Sequence, residues 1–144
     1  FAMFYTYYQV IEILISVVFE IKFKQILVDL NEDADNLFDK REELNDIASE
    51  KNRIKWLFSN YVNIRTDKKN ALSHACVELL SSCGKRSSQK VAEDLYQVRC
   101  LLVHKLYILN DAGRVILQRL NHLFLDVLID IILSFDASRV DMES

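Results

Sequence analysis

The chain has 144 residues, is 51% hydrophobic and 27% charged, and carries a formal net charge of −3. Those values describe one globular domain able to bury roughly two-thirds of its unfolded surface, and they exclude a disordered chain. With no proline, two glycines and an abundance of Leu, Ile, Glu and Lys, the fold class is all-α.

The chain opens on FAMFYTYY, without an initiator Met, which leaves room for a larger parent protein. The first helix is expected over about 3–30. Its run VIEILISVVFEIKF is apolar enough to raise the membrane question. Gln9, Glu12, Ser16, Glu20 and Lys22 interrupt it, and carboxylates at bilayer depth are costly, so no membrane span is expected. No basic region or small-residue cleavage site flanks the run, so a signal peptide is not expected either. NEDADN then supplies cap residues and first-turn acids for a second helical segment over about 34–62, either continuous or interrupted.

The third helix is expected over 67–82, with Gly84 in the left-handed position that ends it. The fourth starts near Ser87 or Ser88, either able to cap it, and runs to about 109. Asn110 or Asp111 caps the fifth, over 112–135. Residues 1–136 form the domain, and the polar tail over 137–144 is expected to fray.

Three cysteines, Cys76, Cys83 and Cys100, without a CxxC pair, argue against a disulfide framework and a zinc site. They favour a reducing, intracellular compartment, with each thiol serving as a small buried hydrophobe. His74 and His122 lack companions at metal-ligand spacing and read as structural or incidental. No Gly-rich phosphate loop, GxSxG or calcium-loop pattern occurs. Charge is uneven: residues 51–105 hold eleven Lys/Arg and four Asp/Glu, net +7, and the rest of the chain is net −10. A basic middle in an acidic chain points to an anion site such as nucleic-acid phosphate, or to a solvated Lys-rich helix face.

In the fourth segment, Val91, Leu95, Val98, Leu102, Leu106 and Leu109 fall on one stripe at about 100° per residue. Arg99 lies on its shoulder. Val103, Tyr96, Tyr107 and Cys100 fill a second face, which His104 closes. A semi-apolar, Tyr-bearing face suits a partner helix or a second chain. Arg99 and His104 are about 7.5 Å apart along the axis and about 140° around it. One helix therefore does not bring them together, but two copies of it packed on this face would.

The stretch LYQVRCLLVHKLY, with its arginine and a histidine five residues on, resembles the RxxxxH signature of the HEPN superfamily. The longer run ALSHACVELLSSCGKRSSQKVAEDLYQVRCLLVH resembles its Apea-like members: Leu79, Leu80 and Gly84 end one helix, then Leu95, Tyr96, Arg99 and His104 follow on the next. The resemblance spans about residues 71–107. It departs from the common pattern at Cys100, where a polar residue often follows the arginine, at Lys105, where glycine often follows the histidine, and at Tyr107, one place later than in some toxins.

The resemblance implies a HEPN-like four- or five-helix up-and-down bundle acting as a homodimer, a metal-independent endoribonuclease with no cofactor. Toxin–antitoxin, antiviral-defence or RNA-processing roles follow from it. Arg99 and His104 are its catalytic pair. His104 would move protons, because imidazole exchanges them near neutral pH, and Arg99 would stabilise the phosphorane-like transition state. Lys105, Lys85, Arg86 and Lys90 are candidates for flanking phosphates, and Tyr96 or Tyr107 for base stacking or interface packing. Expected partners are RNA, a second copy, and an antitoxin or other domains of a parent protein. The alternative is a non-catalytic RNA- or nucleotide-binding and dimerisation module, or a helical domain that docks through its first helix.

Overall fold

The computed structural model describes residues 1–32 and 34–138. Heptad-like spacing shapes α1 (Ala2–Glu32), whose Phe4, Tyr8, Ile11, Ile15 and Val18 are buried at steps of four, three, four and three. Such a seam keeps one face of a helix on its neighbours. Its opposite side reaches solvent, with Ile13 exposed. No helix among the described residues is long and apolar enough to cross a membrane.

The second predicted segment is interrupted, as its sequence allowed. A 3-10 turn (Ala34–Asn36) leads into α2 (Leu37–Ala48), and Ser49 breaks the helix with extended backbone before α3 (Glu50–Trp56). The Ser49 side chain accepts from the Asn52 amide, so one serine both stops α2 and caps α3. A π-turn over Leu57–Tyr61 follows and buries Leu57, Phe58 and Tyr61.

Next come α4 (Thr66–Ser82), α5 (Val91–His104), a 3-10 turn (Leu106–Ile108) and α6 (Asp111–Ser134). Gly84 takes φ +70, as its position required. Its amide reaches the Ser81 carbonyl and the Lys85 amide reaches the Leu80 carbonyl, a Schellman closure of α4. Asn110 caps α6 by accepting from the Gly113 amide at 2.8 Å.

Six α-helices are present among the described residues, and the architecture is an all-α bundle in one domain. Neighbour relations close a ring: α1 packs on α6, α6 on α4, α4 on α5, α5 on α3 and α3 on α1. The second helix, α2, lies outside the ring against α1 and α3. The core fills its centre, from Phe4, Tyr8 and Ile11 through Leu72, Cys76, Leu79, Leu95 and Val98 to Phe124, Val127 and Ile131. Each large apolar side chain buried there contributes about 1.5–3 kcal/mol relative to exposure. Of the cysteines, only Cys76 is a buried hydrophobe. Cys83 and Cys100 are partly exposed because they lie at a helix end and on the rim of a groove, and all three thiols are free.

The connection between α4 and α5 departs from a simple up-and-down hairpin. Val91 and Ala92 border a hollow with Asn70 and Ser73, Asp94 faces Cys76, and Leu80 shares a groove with Cys100 and Leu101. Residues 83–90 therefore run back over the seam, and α4 and α5 pass each other in the same sense.

The linker before α4 is fastened to α6. Asp130 accepts from the Arg65 amide at 3.1 Å and pairs with Lys68 at 2.9 Å, while the Ser134 hydroxyl accepts from the Asn63 amide. The Lys68 ammonium and the Arg65 amide hold the Asp130 carboxyl below its usual range. A depressed pKa gives stability that is complete above the unfolded value, about 4, and is lost as pH falls through the folded one. The melting-temperature gap between the parent and Asp130→Asn should thus be full at pH 7 and close progressively below about pH 4.

The polar tail lies mostly outside the described residues, which end at Ser138.

Candidate functional site

The helix that carries the arginine and histidine is shorter than its apolar pattern predicts, and it is capped differently. Lys90 precedes α5 without a side-chain cap. Ser87 and Ser88 instead bind Asp94, which is wholly buried. The Ser87 hydroxyl donates to Asp94 Oδ2 at 2.5 Å, and the Ser88 amide and hydroxyl donate to Oδ1 at 2.9 and 3.0 Å. Ser87 Oγ also accepts from the Gln89 amide, leaving Gln89 at φ 60 in the left-handed region. Neither serine caps the helix: both stand before Lys90, which takes the cap position, and their hydroxyls accept from the Gln89 and Lys90 amides while donating to the carboxylate one turn inside the helix.

The helix ends at His104, not near residue 109. The Lys105 amide still reaches the Leu101 carbonyl, after which the chain breaks into the 3-10 turn. This removes Leu106 and Leu109 from the helical stripe and Tyr107 from the second face. Leu109 is buried nonetheless, Leu106 is exposed, and Tyr107 is 82% exposed.

Arg99 faces α1 and α3. Its Nη2 lies 3.6 Å from Glu12 Oε1 and its Nε 3.9 Å from Glu50 Oε1. Tyr8, buried in the core, donates its hydroxyl to the same Glu50 oxygen at 3.0 Å. Burial and the Glu50 charge raise the Tyr8 pKa well above the usual phenol range. Burial works against the Arg99 charge, but Glu50, Tyr8, Cys100 and Glu12 outweigh it and hold the guanidinium firmly protonated. Arg99 Nε makes no hydrogen bond among the described residues.

His104 lies on a different flank. It is exposed and lines an open groove of about 310 Å³ with Lys85, Lys105, Tyr96, Gln97 and Cys100, over an apolar floor of Leu80 and Leu101. The neighbouring Cys100 thiol raises the Tyr96 pKa above the usual phenol range. The structure thus brings His104, Lys85, Lys105 and Tyr96 together and leaves Arg99 outside the groove. Val103 is exposed and Tyr96 and Cys100 are partly exposed, so the second face predicted for this helix is accessible up to His104, with Tyr107 beyond the helix end.

The remaining basic candidates divide. Arg86 is exposed on the loop and borders none of these grooves. Lys90 lines a separate hollow with Lys55 and Lys69. His74 and His122 are both exposed, on α4 and α6. No group of three or more His, Cys, Asp or Glu side chains that could hold a metal gathers among the described residues.

Sequence reasoning missed Glu12, Glu50 and Tyr8 as the setting of Arg99, and Asp94 as the anchor of the loop. Periodicity carried no signal for them: even Asp94 stands about 100° from Leu95, off the apolar stripe, and only the fold buries it beside donors from Ser87 and Ser88.

Compared with protein-family models, curated proteins and solved structures, the chain matches none.

Proposed function

We propose that the chain is a metal-independent endoribonuclease of HEPN type whose cutting site is completed across a homodimer. One observation carries the reading: an exposed His104 shares an open groove with Lys85 and Lys105, while Arg99 stands on another flank of the same helix. The groove has an acid–base group, two cations for phosphate oxygens and a tyrosine for a base or a sugar. It lacks the rigid guanidinium fork suited to a phosphorane-like transition state. A second copy packed on the open Tyr/Val/Cys face supplies it through its own Arg99, in an isologous contact.

In this scheme the RNA provides the nucleophile. The 2′-oxygen attacks phosphorus as its proton passes to a neutral imidazole. The bond from phosphorus to the 5′-oxygen breaks, and an imidazolium returns a proton to that oxygen. The products are a 2′,3′-cyclic phosphate and a 5′-hydroxyl, with no change in proton count. Removing one general acid–base group costs about 10²–10⁴ in rate. Incubated with a mixed RNA pool in EDTA, the parent should generate such ends. His104→Ala should lose cleavage by that factor while keeping its helical circular dichroism. An uncut RNA pool with the parent chain overturns the enzyme reading.

A second reading, a non-catalytic RNA-binding and dimerisation module, is favoured by one observation. Glu12 and Glu50 already occupy Arg99, so an incoming phosphate competes with two carboxylates. Salt-dependent RNA binding without new ends would select it.

A further inference from the structure

We infer that a second basic hollow, where the 83–90 loop meets the start of α5, seats phosphates of the same RNA strand that enters the His104 groove. This deepens the RNA reading and rests on it. The hollow, about 450 Å³, is bordered by Lys55 of α3, Lys69 of α4 and Lys90 of the loop, so three lysines from three elements line one concavity. Phe58, Val91 and Ala92 give it an apolar floor. Asn70, Ser73 and Gln89 add amide and hydroxyl groups and continue into an adjoining hollow beside His74.

The charge is only partly cancelled. Glu93 pairs with Lys55 at 3.2 Å and with Lys51 at 3.9 Å. Desolvation pushes the Glu93 carboxyl up, but Lys55, Lys51 and Lys90 together hold it below its usual range. Glu78, bordering the adjoining hollow, is taken by Arg119. Lys69 and Lys90 make no ion pair among the described residues. Gln89 is the one non-glycine residue with positive φ among the described residues, held there by Ser87, at the point both hollows share. A strained residue at a concave polar site is a mark of a binding function.

The two basic sites lie on one path. The loop leaves α4 at Lys85 beside His104, passes Arg86 and arrives at Lys90 beside Lys69. The 14 residues of α5 put about 20 Å between its ends. A single strand spans that with roughly six nucleotides at the stacked spacing of about 3.4 Å, and fewer when extended. A short oligonucleotide can fill the His104 groove alone, whereas a longer one reaches both.

The test uses the full chain with His104→Ala, so that RNA survives the measurement. Lys69→Gln/Lys90→Gln should weaken a 12-nucleotide RNA about tenfold at 0.1 M salt and reduce the slope of log K on log salt by about 1.4. A trinucleotide should bind as before. Lys24→Gln/Arg41→Gln, which removes the same charge from α1 and α2, should leave both RNAs unaffected. Equal binding of the 12-mer by the Lys69/Lys90 variant and its parent overturns the inference, as does an equal loss from the Lys24/Arg41 variant. The RNA reading survives either result if the chain carrying His104 still cuts. Loss of 12-mer binding together with no cutting by that chain supports the inference and sinks the nuclease reading. Failure to bind or cut either RNA overturns both.

Discussion

Arg99→Ala and His104→Ala chains, each inactive alone, should regain about a quarter of the parent cleavage rate when mixed in equal amounts and allowed to exchange. Random pairing makes half of the dimers mixed. Each mixed dimer has one site in which an intact arginine from one chain meets an intact histidine from the other, and a second site with neither. The prediction follows from geometry. Arg99 points to Glu12 and Glu50, and His104 lines the groove with Lys85 and Lys105, so a single chain does not put both on one phosphate. If the pair acted within one chain, no mixture would recover. Cleavage before and after exchange, followed with a labelled RNA, therefore separates a composite site from a local one. A mixture that stays inactive although exchange is demonstrated by mass would overturn the composite site.

The same arrangement explains what the sequence could and could not disclose. Elements were legible because their signals are local. Gly84 closes α4, Asn110 caps α6, and the heptad-like apolar steps of α1 mark a long packed helix. The angular separation of Arg99 from His104 was legible for the same reason, since it depends only on the helical period. The end of α5 was not. Leu106 and Leu109 continue the apolar rhythm, but the 3-10 turn takes over at Leu106, and Leu109 reaches the core by another route. The setting of Arg99 was hidden because Glu12 and Glu50 come from helices 87 and 49 positions earlier, and no periodicity within α5 refers to them. The basic loop was read correctly as a set of charges. Its division between two hollows was not visible, because it depends on a chain reversal over the α4–α5 seam, where the loop serines bind Asp94 inside the core.

That clasp makes Asp94 the residue whose loss should most disturb the molecule. Its carboxylate is shielded from water and accepts three hydrogen bonds from Ser87 and Ser88. Bonds to a buried charge are worth about 1.5–3 kcal/mol each, and removing the acceptor strands its donors. Asp94→Ala should therefore cost about 3–5 kcal/mol, lowering the melting temperature by roughly 10–20 °C. Asp94→Asn, which keeps the shape and one carbonyl acceptor, should cost about half as much, since its amide nitrogen faces a donor. The loss should also be local in character. Freed from Asp94, residues 83–90 should exchange amide hydrogens faster than the bundle core under conditions where the variant is still folded. Lys85 and Lys90 sit on that loop, at the His104 groove and the second hollow respectively. Loosening it should thus weaken RNA binding at both places without removing a single cation. A variant that melts within about 2 °C of the parent would show that the serine–carboxylate clasp is not what holds the loop.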